Sequence, residues 1–309
     1  MKAVFMGTPD FAVPALEALI ASADEVGYVI TQPDRAKNRG KKIQFSPVKE
    51  TALKHGIEVL QPEKIKKSSE TIEILKEYAP DIIVVAAYGQ IIQKELLELP
   101  KLGCINVHAS LLPELRGASP IQHAILQGNE KTGVTIMQMA EGLDTGDILS
   151  QVEVEIGRKN GEELHDALAA AGAELLKSTL PKLAAGEIKP LPQDESLASY
   201  AGMISKSDGK IDFRMKAEEI DRQVRAFEPW PGAFCYIDDK VMKIHCAECT
   251  DKNTGAEPGC VTEVSDEGIC AACGSGTLKI TEIQMPGKKR MAVKDYLRGN
   301  RIEKGTILG

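Results

Sequence analysis

The chain has 309 residues, 43% hydrophobic and 27% charged, which favours two domains and excludes a disordered polymer. Its longest apolar run is seven residues, Ile82 to Tyr88, far short of a membrane span, and its seven cysteines make no small disulfide scaffold. A formal net charge of −7 argues against a whole-surface nucleic-acid binder.

The start, MKAVFMGTPDF, shows no basic region, apolar stretch and cleavage site of a signal peptide, so a reducing cytoplasm is the expected compartment. Short β-rich apolar runs bounded by Gly, Pro or Asp predict strands at 2–7, 26–31, 82–88, 104–108 and 134–139. Between them, 3.6-residue periodicity predicts helices at 13–23, 47–55, 69–78 and 119–127. The alternation is α/β, a Rossmann-like domain with a mostly parallel sheet, and catalysis is expected beyond the carboxyl ends of its strands. A helix over 161–185 closes this first domain, residues 1–187. Residues 188–207 are rich in Pro, Ser and Asp without a period and read as a linker. The rest, 208–309, predicts a helix at 216–227 and strands at 232–237, 241–247, 259–264, 268–272 and 277–284, a small OB-like β-barrel domain.

Charge is uneven along this plan. Residues 200–309 carry 17 basic and 17 acidic side chains, so the whole acidic excess lies in the first 199 residues. Two stretches run basic: Arg35 to Lys42 has five cations in eight residues, and Met285 to Lys304 has seven against two acids. Flanking the expected cleft, they point to a polyanionic substrate, with Arg35, Lys37, Arg39, Lys41, Lys42, Lys288, Lys289 and Arg290 as its contacts. Gly40 and its polar neighbours give the first stretch no apolar face, so a surface loop is expected there.

Gly7-Thr8-Pro9-Asp10-Phe11 fills the strand-to-helix turn where a dinucleotide-binding protein carries three glycines. Only one is present, so a pyrophosphate has no close approach and NAD is not expected. The densest cluster is Asn106-Val107-His108-Ala109-Ser110-Leu111-Leu112-Pro113, running on to Arg116-Gly117. Asn106 and His108, two apart at a strand's carboxyl end, project from one face. A carboxamide can donate to a developing oxyanion, and a histidine can transfer protons near pH 7. The turn from Ser110 to Pro113 offers backbone groups to a planar heterocycle. Alone, Asn-x-His reads as a structural histidine and Gly142-Leu143-Asp144-Thr145-Gly146-Asp147 as a plain Asp-Gly turn. Together they read as one site in which Asp144 orients His108 or takes a proton.

Asn106, His108 and Asp144 in that order, with SLLP-x-x-RG and GLDTGD, resemble the formyltransferases that use 10-formyltetrahydrofolate. The likeness continues through GTPDFA at Gly7, TQPDR at Thr31, NRGKK at Asn38, SPVK at Ser46, VVAAYGQI at Val84, GCINVHASLLP at Gly103, GVTIMQM at Gly133 and RAFEPWPG at Arg225. Its end-to-end span implies the branch whose acceptor is the amino group of initiator methionyl-tRNA. The resemblance implies catalysis by Asn106, His108 and Asp144, and no metal or nucleotide cofactor. It places folate against Ala86, Ala87, Tyr88, Gly89 and Gln90 and against Ser110, Leu111, Leu112 and Pro113. The acceptor amine, as free base, would attack the formyl carbon; Asn106 and protonated His108 would stabilise the oxyanion while His108, Asp144 and a water shuttle protons. One departure is Glu114, where the family usually has a basic residue; it bears on tRNA contacts and leaves the trio intact.

Two other readings compete. A formyltetrahydrofolate hydrolase or sugar-amine formyltransferase would share the trio but needs neither basic segments nor a barrel. A zinc-ribbon nucleic-acid binder is suggested by Cys246-x-x-Cys249 and Cys270-x-x-Cys273. Both cysteine pairs lie in segments that read as barrel strands, KVMKIHCAEC and GICAAC, where positions i and i+3 face opposite sides, so no metal is expected. Trp230, the only tryptophan, reads as an anchor at the seam between domains, and His55, His123, His165 and His245 as structural residues. A monomer is expected.

Overall fold

A computed structural model describes residues 1–37 and 42–309 of the chain. They form two units: Met1–Pro120, Lys131–Glu155 and His165–Ala201 in one, Ile121–Glu130, Ile156–Leu164 and Gly202–Gly309 in the other.

In the first unit the apolar runs become the centre of a seven-stranded sheet. Its order is Ile148–Glu155, Lys131–Gln138, Cys104–His108, Ile82–Ala86, Lys2–Gly7, Glu25–Ile30, Glu58–Leu60. All pairs from Cys104–His108 to Glu58–Leu60 are parallel, and the last two strands at the opposite edge run antiparallel. Every residue of Ile82–Ala86 is buried, as a doubly covered strand requires. Val4, Met6, Ile83 and Val85 pack with Leu75 of the helix Ser69–Tyr78 on one face. Pleating turns the buried Ala3, Phe5 and Val84 to the other, where the helix Val13–Ser22 lies. Helix starts follow the sequence: Pro14 stands in the first turn of Val13–Ser22, and the Ser46 and Ser68 hydroxyls cap Pro47–Lys54 and Ser69–Tyr78. The central strand ends at Ala86, two residues earlier than its apolar run, because Ala87 and Gly89 take positive φ (45° and 80°) and turn the chain off the sheet. The short strand Glu58–Leu60 and the edge strand Ile148–Glu155 add to the five strands predicted.

The first basic stretch is framed by structure that the expected loop did not include. Arg35–Lys37 and Lys42–Gln44 pair antiparallel, Lys37 opposite Lys42. Arg39 and Lys41 lie outside the described residues.

The stretch 188–207 is not featureless. Leu191 bridges Ile148, Glu195–Leu197 is a 3-10 turn, and Tyr200–Ala201 pairs in parallel with Arg116–Gly117.

The second unit is an antiparallel sheet in the order Ala233–Ile237, Lys240–Thr250, Thr277–Gln284, Gly268–Ala272, Val261–Ser265, with Met291–Ala292 also on Thr277–Gln284. Its two outer strands do not pair with each other. The C-terminal segment spans them instead: Tyr236 N donates to Gly309 O (2.5 Å), Leu308 N to Gly259 O and Val261 N to Thr306 O (both 2.8 Å). The amphipathic helix Ala217–Ala226 lays Ala217, Ile220 and Val224 on the core formed by Ile244, Leu278 and Ile280. Among the described residues no helix is long and apolar enough to cross a membrane.

Candidate active site

Three sequence motifs meet at the carboxyl edge of the parallel strands. Gly7 pairs with Ala86, and the strand order reverses between these two strands, the crevice where open α/β sheets bind ligands. Just beyond, the Thr8 hydroxyl donates to Tyr88 O (3.3 Å) and the Gln32 carboxamide to the same oxygen (3.1 Å). TQPDR and SPVK are also joined: Thr31 and Ser46 hydroxyls lie 2.8 Å apart, and Lys49 Nζ bonds Asp34 (2.5 Å) and Gln61 (2.6 Å). Burial pushes the Asp34 carboxyl up, but the bonds from Lys49 and Gln61 outweigh it and hold it below its ordinary value.

Asn106 and His108 share a face of Cys104–His108, Asn106 half-buried and His108 6% exposed. Nε2–H of His108 donates to Leu115 O (3.1 Å). A carbonyl only accepts, so this bond fixes the proton on Nε2 and leaves Nδ1 as the nitrogen that gains or loses one. Nδ1 faces Asp144 Oδ2 at 3.8 Å, and Oδ2 also accepts the Gly117 N–H (2.9 Å). The described side chains leave the Asn106 carboxamide without an internal hydrogen bond, available to a bound group.

Asp144 reaches this position by an indirect route. Lys131–Gln138 runs antiparallel to Cys104–His108, with Thr135 opposite His108 and Gln138 opposite Ile105. The following loop therefore leaves the sheet at the amino end of the histidine's strand and doubles back. Two glycines permit it. A side chain on Gly146 would overlap the Gln138 carbonyl, and Gly117 takes φ +115° with Ala201 O 2.7 Å from where a Cβ would stand. Asp144 itself has φ +52°, which Asp tolerates better than most residues.

Sequence reasoning missed the residue that anchors the turn after His108. Thr135, fully buried, donates its hydroxyl to Ser110 O (2.7 Å) and accepts from Leu112 N (3.0 Å) and Gln151 Nε2 (2.9 Å). Gln151 also donates to Leu112 O (2.9 Å), and the Ser110 hydroxyl to Glu114 O (2.6 Å). Much of the hydrogen-bonding capacity expected to serve a heterocycle at Ser110–Pro113 is thus spent inside the protein; Leu111 and Pro113 remain half-exposed there. In the other expected folate stretch, Ala86 and Tyr88 are buried and Ala87 and Gly89 exposed. The Gln90 side chain is tied to the backbone of Pro62, Glu63 and Ile65.

In the second unit Lys288 and Lys289 are exposed, but Arg290 bonds Glu228 (2.7 Å) and Glu282 (2.6 Å). Burial pushes the Glu228 carboxyl up, while His245 (2.9 Å) and Arg290 bring it below its ordinary value. Trp230 is 50% exposed. Strand register puts Cys249 level with Leu278 and Ala271, and Cys270 level with Lys279 and Glu248, so these two cysteines face opposite sides of the sheet. Among the described residues no three His, Cys, Asp or Glu side chains converge as a metal site.

The sheet, its switch point and a carboxylate-faced histidine beside a free carboxamide fit an α/β enzyme that moves protons and stabilises an oxyanion. Residues 1–180 match the family described as formyl transferase, and residues 203–301 its C-terminal domain. The chain belongs to that family and is a formyltransferase. It is 50% identical over 309 residues to a methionyl-tRNA formyltransferase of Clostridium novyi, covering all of both chains. To the protein of that name from Bacillus subtilis it is 51% identical over 310 residues, 100% of this chain and 98% of the relative. Solved structures share the fold. An N-formyltransferase of Helicobacter canadensis, in complex with folinic acid and dTDP-3-aminofucose, matches with a TM-score of 0.69 at 22% identity, over 91% of this chain and 99% of that one. A methionyl-tRNA formyltransferase of Clostridium thermocellum matches with a TM-score of 0.57 at 17% identity, over 92% and 98%.

Proposed function

We propose that the protein transfers the formyl group of 10-formyltetrahydrofolate to the free amino group of initiator methionyl-tRNA, in the cytoplasm. The observation that carries this reading is the meeting of His108 and Asp144, beside the uncommitted Asn106, in a chain half identical to methionyl-tRNA formyltransferases along its whole length. Asn106 donates to the oxygen that becomes negative as the amine adds to the formyl carbon. His108 works through Nδ1, since Nε2 is occupied by Leu115. Nδ1 and Asp144 Oδ2, 3.8 Å apart, are too far for a mutual hydrogen bond and both within reach of one bound atom, so the proton leaving the amine passes between them and on to N10 of the folate as the C–N10 bond breaks and the oxyanion collapses to the new formamide.

The folate ring fits at the exposed backbone of Ala87 and Gly89 and against Leu111 and Pro113, with Tyr88, Ser110 and Leu112 shaping the wall from behind. The tRNA is taken by residues 208–309 as one body and by the Arg35–Lys42 stretch, with 1–187 as the catalytic part and 188–207 joining them. Lys288 and Lys289 contact phosphates; Arg290, already neutralised by two carboxylates, contributes less. The test is transfer of a labelled formyl group from 10-formyltetrahydrofolate, with charged initiator tRNA and a nucleotide-linked aminosugar offered separately. Formylated methionyl-tRNA supports the proposal. Release of free formate, or formylation of the sugar alone, replaces it with the hydrolase or sugar-amine reading.

A further inference from the structure

The segment after the helix Gly161–Ala184, which composition marks as a connector, grips both halves of the proposed catalytic pair. Gln193 Oε1 accepts from Nε (3.0 Å) and Nη2 (2.8 Å) of Arg116, and its Nε2 donates to the carbonyl oxygens of Asp144 (2.8 Å) and Gly146 (2.7 Å). All the donors and acceptors of the carboxamide are used, and its orientation is forced, because a guanidinium can only donate and a carbonyl only accept. Arg116 is fully buried, with its fork closed by Glu195 at 3.0 and 2.8 Å. On the histidine side, Ser199 Oγ accepts from Leu115 N (2.9 Å), and Leu115 O receives the proton of His108 Nε2. Asp144 sits in left-handed backbone, tolerable for Asp but favoured by bonds that hold the turn from outside.

We propose that Gln193 is a positioning residue: held by Arg116, it fixes the Asp144–Gly146 turn so that the Asp144 carboxylate stays opposite His108 Nδ1. This rests on Asp144 taking part in transfer as proposed above. The test uses Gln193→Glu, which keeps the acceptor for Arg116 but removes both N–H donors and sets a carboxylate against two carbonyls.

Expected is a fall in kcat of about 10- to 100-fold, as for a displaced catalytic group, with both KM values within about threefold of wild type. In an Asp144→Asn background the same change should cost almost nothing further, since it acts through that carboxylate. An unchanged kcat, a loss carried by KM, or the full loss repeated in the Asp144→Asn background overturns the proposal. Hydrogen exchange gives a readout without turnover: the 140–147 turn should exchange faster in Gln193→Glu while 104–108 does not, and unchanged exchange overturns the clamp. Failure of the wild-type chain to formylate, together with this exchange difference between it and Gln193→Glu, would sink the functional reading and leave the clamp standing. Should Gln193→Glu fail to fold, Glu195→Gln decides. Its side chain is 70% exposed, and a loss of about two- to fivefold in kcat at constant KM supports the network whereas an unchanged kcat overturns it.

Discussion

Replacing Thr135 by valine changes shape least and hydrogen bonding most, which makes it a clean probe of the turn after His108. The hydroxyl is one donor and two acceptors in use, to Ser110 O and from Leu112 N and Gln151 Nε2, at a residue with no exposed surface. Valine orphans the Leu112 N–H in a dry interior, at about 1–3 kcal/mol, and forfeits two further bonds of roughly 0.5–1 kcal/mol net each. Gln151 keeps one partner, Leu112 O, which limits the damage, so the expected loss is about 3 kcal/mol. Thr135→Ser retains the hydroxyl and loses one methyl, about 1 kcal/mol. Were apolar burial in control, the order would reverse, since valine buries more hydrocarbon than serine. Urea unfolding at neutral pH, followed by circular dichroism, measures both variants. A valine variant as stable as the serine variant, or more so, refutes the claim that this hydroxyl anchors the turn.

Asn106→Ala, His108→Ala and Asp144→Asn should each lower turnover by about 10²-fold or more with much smaller changes in substrate affinity; near-normal turnover removes that residue from the mechanism. Burial pushes the thiols of Cys104 and Cys235 to about 12 and that of Cys273 to about 11 from an ordinary value of 9.0, so iodoacetamide at mildly alkaline pH should label the exposed Cys246 and spare these three. The same shifts fix the sign of alkaline stability. The folded chain holds these protons while the unfolded chain releases them, so stability is intact below about pH 9 and falls as pH rises, by about 1.4 kcal/mol per pH unit for each thiol, toward 11 for Cys273 and toward 12 for Cys104 and Cys235. A flat urea midpoint across that range would contradict it. Lys288→Ala and Lys289→Ala should each reduce the salt dependence of tRNA binding by about one phosphate contact; a larger effect from Arg290→Ala would show that its two carboxylates do not hold it back.

The candidate site was only partly legible before folding was considered. Asn106 and His108 are two residues apart, a local relation that pleating converts directly into a shared face. Asp144 was found through its glycine-punctuated loop and through resemblance, but not the detour that brings it to His108. The edge strand Ile148–Glu155 carried a signal in its alternating VEVE, whereas the three-residue strand Glu58–Leu60 is too short for any period to register. Thr135, Gln151, Gln193 and Ser199 left no trace of their roles. Polar residues that meet across tens of positions have no periodicity with one another, and each is equally at home on a solvated surface.

By itself the sequence determined the layers. Continuous apolar runs separated by helical periods leave little choice but a covered parallel sheet, and short strands between turns leave little but a small antiparallel domain, because burying hydrocarbon dominates folding and its pattern is written locally. Only the tertiary structure decided the long-range connections: the antiparallel strand that forces the Asp144 loop to double back, the C-terminal segment that spans the two outer strands of the second unit, and the buried Arg116 that draws residues 193 and 195 onto the candidate site. The physical reason is common to all three. A hydrogen bond contributes only about 1 kcal/mol net but is costly to leave unmade in a dry interior, so its partner is settled by which groups packing has already brought within reach.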